Sequence, residues 1–142
     1  MTVPTPEAPE ADLPDKSFIS VIDDDQSVRE SLRRLLRSLG YTVEAFRSAA
    51  DFLAFPRLDQ TTCLITDVQM PGMTGIELHK SLRGAGHAIP TILITAYPDD
   101  DARTLALKEG IICYLRKPLN EDDLIQCLRA ATGSGTTDHA AP

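Results

Sequence analysis

Five short apolar runs alternate with five stretches whose apolar positions recur at three- and four-residue intervals. The first run, at 18–22, reads FISVI and breaks off at Asp23, Asp24 and Asp25. Beyond it, Val28, Leu32, Leu35, Leu36 and Leu39 fall on one helical face, and Arg29, Glu30, Arg33, Arg34 and Arg37 take the other. Gly40 ends that helix. Residues 42–46 predict a second strand, and Ser48 predicts the cap of a short helix carrying Phe52 and Leu53 that stops near Pro56. Residues 63–66 predict a third strand ending at Asp67, followed by a loop marked by Pro71, Gly72 and Gly75 and a helix over 76–83. Residues 91–94 predict a fourth strand ending at Thr95, then a helix over 100–108 stopped at Gly110. Residues 113–116 predict the fifth strand, ending at Lys117 and Pro118. Asn120 caps a last helix that buries Leu124, Ile125, Leu128 and Ala131.

Continuous apolar strands alternating with amphipathic helices imply a parallel sheet covered on both faces, a three-layer α/β architecture. Right-handed crossovers leave few topologies. The one adopted here as an expectation is a flavodoxin-like (βα)5 fold with strand order 2-1-3-4-5. In such sheets ligands gather outside the carboxyl ends of the strands, where the strand order reverses. Residues 1–16 are rich in proline, alanine and acid and predict a disordered leader, and 133–142 (GSGTTDHAAP) predict a loose tail. The folded domain is expected at 17–132.

Composition narrows the function classes. The 142 residues are 42% hydrophobic, enough for one globular core and too many for a disordered chain. No apolar run approaches the ~20 residues of a membrane helix, and the N-terminus lacks a basic-then-apolar signal, so a cytoplasmic protein without membrane contact is expected. A net charge of −7 argues against a nucleic-acid surface. Cys63, Cys113 and Cys127 show no metal spacing and are expected to be buried small hydrophobes. His79, His87 and His139 are scattered and are expected at the surface or half buried.

Acids cluster at 23–25, 99–101 and 121–123. Taken alone, an acidic triplet after a strand is often a loop with a helix cap, and a single aspartate, threonine or lysine at a strand end is ordinary. The conjunction is not. Asp23 and Asp24 follow strand one, Asp67 ends strand three, Thr95 strand four and Lys117 strand five, and the expected strand order puts them at one edge. Crowded carboxylates repel, and a hard cation relieves them. Mg²⁺ suits a few carboxylates plus waters and commonly bridges to phosphate. Asp67 is then a nucleophile toward a phosphoryl donor, Lys117 supplies a compact positive charge and Thr95 a hydroxyl.

The segments VIDDD (21–25), LITDVQMPGMTG (64–75), ILITAY (92–97) and LRKPL (115–119) resemble the receiver domain of two-component response regulators over about 17–132. ALKEGIICYLRKP (106–118) and SAADFL (48–53) resemble the FixJ-like branch. The resemblance implies phosphorylation at Asp67. It also implies Mg²⁺ bound directly by Asp24, through water by Asp23, and by Asp67 and the backbone carbonyl of Gln69. Thr95 and Lys117 then contact the phosphoryl group, Tyr114 is a switch aromatic, and Lys117–Pro118 is cis. Four positions depart from the usual pattern: Asp25 in place of glutamate, Leu119 in place of phenylalanine, and Ile111 and Ile112 in place of small residues. Asp25 is still expected to serve the acidic pocket. The isoleucines suggest either a dimer or partner face on helix four, strand five and helix five, or inward packing. Gln69 and Tyr97 are expected to tune phosphate lifetime, with the bulky ring at 97 crowding the attacking water and slowing decay.

The implied function is a two-state signalling device, not an enzyme beyond its own phosphotransfer and dephosphorylation. Its donor is a sensor histidine kinase or a phosphotransfer protein, and its output is a rearranged surface for partner binding or phosphoryl shuttling. The short, non-basic tail leads to the expectation of a stand-alone receiver without direct nucleic-acid binding. The alternatives are a receiver cut from a helix-turn-helix transcription factor, a haloacid-dehalogenase-like phosphatase using Asp23 and Asp25, and an inert receiver-like interaction module.

Overall fold

The structure, a computed structural model, describes residues 17–132. The expected leader and tail lie outside the described residues. The elements are β1 (Phe18–Ile22), α1 (Gln26–Ser38), β2 (Thr42–Phe46), α2 (Ala49–Leu53), a 3-10 turn (Leu58–Gln60), β3 (Cys63–Asp67), α3 (Gly75–Gly84), β4 (Thr91–Thr95), α4 (Asp100–Lys108), β5 (Cys113–Arg116) and α5 (Glu121–Thr132). All four strand pairings are parallel, in the order β2-β1-β3-β4-β5. This is the expected doubly wound architecture.

Strands β1, β3 and β4 are buried along their whole length, as both faces of the sheet are covered. On one face, Leu32 and Leu36 of α1 and Leu124 and Leu128 of α5 pack on Ile19, Val21, Ile65, Ile92 and Ile94. On the other, Phe52 of α2 and Leu78 and Leu82 of α3 pack on Ile22 and Leu64, and Ala106 of α4 packs with Leu93 and Ile111. Leu39, expected on the buried face of α1, is instead the C-cap and is 41% exposed, because Gly40 at φ 98° turns the chain away.

Two of the three acidic clusters turn out to be helix starts. Asp100 and Asp101 open α4, and Glu121, Asp122 and Asp123 open α5, where they face the positive end of the helix dipole. Asn120 Oδ1 accepts from the Asp123 amide at 3.0 Å, the expected cap. The buried histidine is a correction. His79 was expected at or near the surface but is buried, with Nδ1 3.3 Å from Thr91 Oγ1 and Nε2 3.1 Å from the Glu109 carbonyl. Its position on the inward face of α3, beside Leu78 and Leu82, outweighs its polarity once both ring nitrogens find partners.

The cysteine expectation also needs correcting. Cys63 is a buried free thiol, and burial pushes it up to about 12, so it behaves as a small hydrophobe. Cys113 of β5 and Cys127 of α5 are joined as a disulfide, because strand and helix place their Cα atoms 6.2 Å apart on the same side of the sheet.

The β3–α3 connection depends on Gly75. It is the first residue of α3, after a Thr74–Glu77 capping box. A Cβ there would stand 2.5 Å from the Asp67 carbonyl oxygen and 3.1 Å from Leu93 Cδ2. Neither backbone nor buried leucine has room to retreat. Gly75→Ala is therefore expected to destabilise the fold by about 1–3 kcal/mol, read as a lowered urea midpoint at unchanged m-value. Thr74→Ala, which removes only the cap, is expected to cost about 1 kcal/mol. An unchanged midpoint for Gly75→Ala would contradict the close approach.

Candidate functional site

The parallel ladder carries the site. Asp67 and Thr95 are the last residues of β3 and β4, and Asp23 and Lys117 are the first residues beyond β1 and β5. Each is held by a backbone bond that prolongs the sheet. The Asp23 amide donates to Phe46 O at 3.1 Å, Val68 to Ile94 O at 2.9 Å, and Lys117 to Thr95 O at 2.8 Å. The register pairs Asp67 with Ile94 and Thr95 with Arg116, so Thr95 and Lys117 each sit one step further toward the rim.

Lys117 is the hub. Its Nζ lies 2.8 Å from Asp23 Oδ2 and 3.1 Å from Asp67 Oδ2. Asp67 Oδ1 accepts from the Gln69 amide at 3.1 Å, and Asp23 Oδ1 from the Asp25 amide at 2.9 Å. Asp23 is fully buried, and its Oδ2, although in ion contact with Lys117, has no well-directed donor. Asp24 is exposed. One carboxylate oxygen from each of Asp23, Asp24 and Asp67 comes within 4.8 Å of the others.

The electrostatics follow from this crowding. Burial pushes the Asp23 carboxyl up, and the charge of Asp67 adds to that, while the Lys117 ammonium and the Asp25 amide pull it back only in part. Burial works against the Lys117 ammonium too, but its bonds to Asp23 and Asp67 outweigh this and hold its pKa above the usual lysine value. The arrangement is an acidic pocket with one fixed cation and spare carboxylate oxygens. A small hard cation suits that donor set.

Thr95 is buried, and its Oγ1 accepts from the Tyr97 amide at 3.0 Å. Tyr97 itself is 73% exposed. Tyr114 is half buried against Val68, Leu93, Ala106 and Ile111, and its hydroxyl accepts from the Asp99 amide at 3.3 Å, tying β5 to the start of α4. Asp25 does not join the pocket. Its Oδ1 accepts from the Ser27 amide at 2.9 Å and the Ser27 hydroxyl at 2.8 Å, capping α1, and these bonds hold its carboxyl below the usual range. The acidic-pocket expectation for Asp25 is thus corrected. The same capping removes it from the acid/base role that the phosphatase alternative required. Sequence reasoning missed Arg29, whose Nη1 donates to the Asp23 carbonyl at 2.7 Å. Its place in the first turn of α1, directly after the acidic triplet, was the available signal.

The family model of the response regulator receiver domain matches residues 19–129. The chain belongs to the response-regulator receiver family. The receiver is 39% identical over 115 residues to the response regulator protein TodT of Pseudomonas putida, covering 81% of this chain and 51% of that protein. It is 41% identical over 122 residues to the transcriptional regulatory protein FixJ of Azorhizobium caulinodans, covering 85% of this chain and 57% of FixJ. Among solved structures, the response regulator StyR aligns with a TM-score of 0.76 at 40% identity, covering 88% of this chain and 63% of that one. FixJ-N aligns at 0.74 and 33%, covering 82% and 94%. The FixJ-like assignment stands, and the chain spans about half the length of the curated relatives it matches. Receivers are signalling domains of two-component systems that bind Mg²⁺ at an acidic cluster, and Asp23, Asp24 and Asp67 form such a cluster here.

The raised Asp23 pKa has a stability consequence. The folded chain holds that proton more tightly than the unfolded chain. Ionisation near neutral pH therefore costs stability, and the cost is relieved as pH falls through the folded value. Asp23→Asn keeps the shape and removes the buried charge. It is expected to raise the metal-free melting temperature by about 4 °C, on the order of 1 kcal/mol for a domain of this size, and to flatten the acid side of the stability profile. A lowered melting temperature at pH 7 would contradict the argument.

Proposed function

We propose that Asp67 accepts a phosphoryl group from a sensor histidine kinase or phosphotransfer protein. The observation that carries this is the Lys117 ammonium bridging Asp67 and the buried Asp23 at the rim of the sheet. A carboxylate oxygen of Asp67 attacks phosphorus, the bond from phosphorus to the donor imidazole breaks, and the electron pair stays on the imidazole. Lys117 neutralises charge on the incoming phosphoryl oxygens, and the Thr95 hydroxyl takes another of them. Asp23, Asp24, Asp67 and the backbone carbonyl of Gln69 would hold Mg²⁺, which supplies further positive charge to those oxygens when bound.

The donor's approach is supported by a groove of about 340 Å³ that includes Lys117 in its lining. Its walls are Val28, Leu32 and Leu35 of α1 and Pro118 and Leu119 of the β5–α5 loop. A largely apolar groove that shares Lys117 with the acidic pocket suits a helix face of the donor. A donor of this kind places the receiver in the cytoplasm.

The output surface is α4–β5–α5, with Tyr114 and Thr95 as the switch pair. Ile111 is buried, while Ile112 is 36% exposed and lines a shallow surface groove with Ala88 and Pro90, so one isoleucine packs inward and the other adds to an apolar patch. That patch is offered to a second copy or a downstream partner. Ile112→Asp is expected to abolish phosphorylation-dependent association in analytical ultracentrifugation, and unchanged association rules the patch out. The relatives carry roughly as much chain again, and their names include transcriptional regulators. The stand-alone role and the lack of nucleic-acid contact are therefore not carried forward.

Incubation with acetyl phosphate and Mg²⁺ tests the central claim. Intact-mass analysis is expected to show one hydroxylamine-labile phosphoryl group, absent without Mg²⁺ and absent in Asp67→Asn. A label that survives in Asp67→Asn overturns the assignment and points back to Asp23. The same labelled protein tests the role of Tyr97: its decay is expected over minutes to hours and faster in Tyr97→Ala, and identical decay in both removes that residue from lifetime control.

A further inference from the structure

Strand β5 is an edge strand, bonded to β4 alone. It nevertheless carries Lys117 at its end and Tyr114 on the α4 face. Cys113 precedes Tyr114 and, by strand alternation, points to the opposite face, where it meets Cys127 of α5. The two residues are 14 apart in sequence, and the loop they close contains Lys117, Pro118 and Asn120.

The three cysteines are not equivalent. Cys63 is wholly buried with a thiol pushed up to about 12, which leaves it unreactive. Cys127 is buried, but Cys113 is half buried on the edge strand and so open to a small reagent. A Cα separation of 6.2 Å lets the pair close without backbone rearrangement. In the cytoplasm proposed above, disulfides are characteristically transient or sensing rather than structural.

We propose that Cys113 and Cys127 are a reversible thiol–disulfide site that sets how readily the receiver responds to phosphorylation. The oxidant is a low-molecular-weight disulfide of the glutathione type. The Cys113 thiolate attacks one sulfur of that disulfide, giving a mixed disulfide and one free thiolate. The Cys127 thiolate then attacks the Cys113 sulfur, closing the intramolecular bond and releasing the second thiolate. The two protein thiols lose two electrons and two protons, and the small disulfide becomes two thiols. Once closed, the bond fastens α5 to β5 four residues before Lys117, so the β5–α5 segment cannot shift against the sheet. The open form leaves α5 held to β5 by packing alone.

The proposal rests on the phosphoacceptor reading for its consequence but not for its chemistry, and the experiment separates the two. The 142-residue protein is equilibrated in reduced and oxidised glutathione buffers, and its thiols are counted by alkylation and mass analysis. The expected result is loss of two alkylatable thiols in the oxidised buffer, mapped to Cys113 and Cys127, and full recovery in the reduced one. Amide hydrogen exchange over residues 114–121 is expected to be slowed at least threefold in the oxidised form. The oxidised form is also expected to take label from acetyl phosphate at least threefold more slowly, while Cys113→Ser and Cys127→Ser label at the reduced rate in both buffers. A pair that never forms, or one that glutathione never reopens, overturns the proposal, as do equal exchange and equal labelling in the two forms. If neither form takes label while the exchange difference persists, the phosphoacceptor reading fails and the thiol site stands.

Discussion

The constraint on which the molecule turns is a buried carboxylate beside another carboxylate with one ammonium between them. Asp23 is fully buried, Asp67 nearly so, and Lys117 touches both. Left to itself, Asp23 resists ionising, and burial is the main reason. The fold tolerates this because Lys117 arrives from the end of β5 with its amide already bonded to Thr95. The ammonium is delivered by the sheet rather than by a flexible loop. Much of the remaining architecture serves to keep those two strand ends opposite each other.

That arrangement stores an imbalance rather than removing it. One lysine cannot fully satisfy two carboxylates, and Asp23 Oδ2 is left without a directed donor. The site is thus poised to take more positive charge, and a phosphoryl group added to Asp67 would change what Lys117 and Thr95 touch. In the proposed switch, their anchoring to β4 and β5 is what would carry the change to Tyr114, which links β5 to the start of α4 through Asp99.

The fold was legible because period and punctuation agreed. The strand ends, the Gly40 and Gly110 stops, and the Ser48 and Asn120 caps all point to one register. The convergence of polar residues at the sheet rim was legible for the same reason: Asp67, Thr95 and Lys117 fall where apolar runs stop. What escaped notice depended on geometry that sequence spacing does not encode. Asp25 follows Asp23 and Asp24 in sequence, yet its extended backbone and two bonds from Ser27 commit it to capping α1. His79 reads as polar, yet α3 aims it inward, where Thr91 and Glu109 supply partners. Cys113 and Cys127 lie on different elements, so only the packing of α5 on β5 brings them together.

The edge position of β5 suits the switch role proposed for it. A central strand such as β3 is bonded on both sides and buried throughout, so moving it would break two ladders. Strand β5 has one ladder, and its residues are only partly buried or exposed, so displacing it costs less. It also presents opposite faces to two different helices, Tyr114 toward α4 and Cys113 with Leu115 toward α5. A strand with that freedom and those contacts can report the charge at Lys117 to either helix. Whatever fastens one of its faces, whether packing or a covalent bond, changes how far the other can travel.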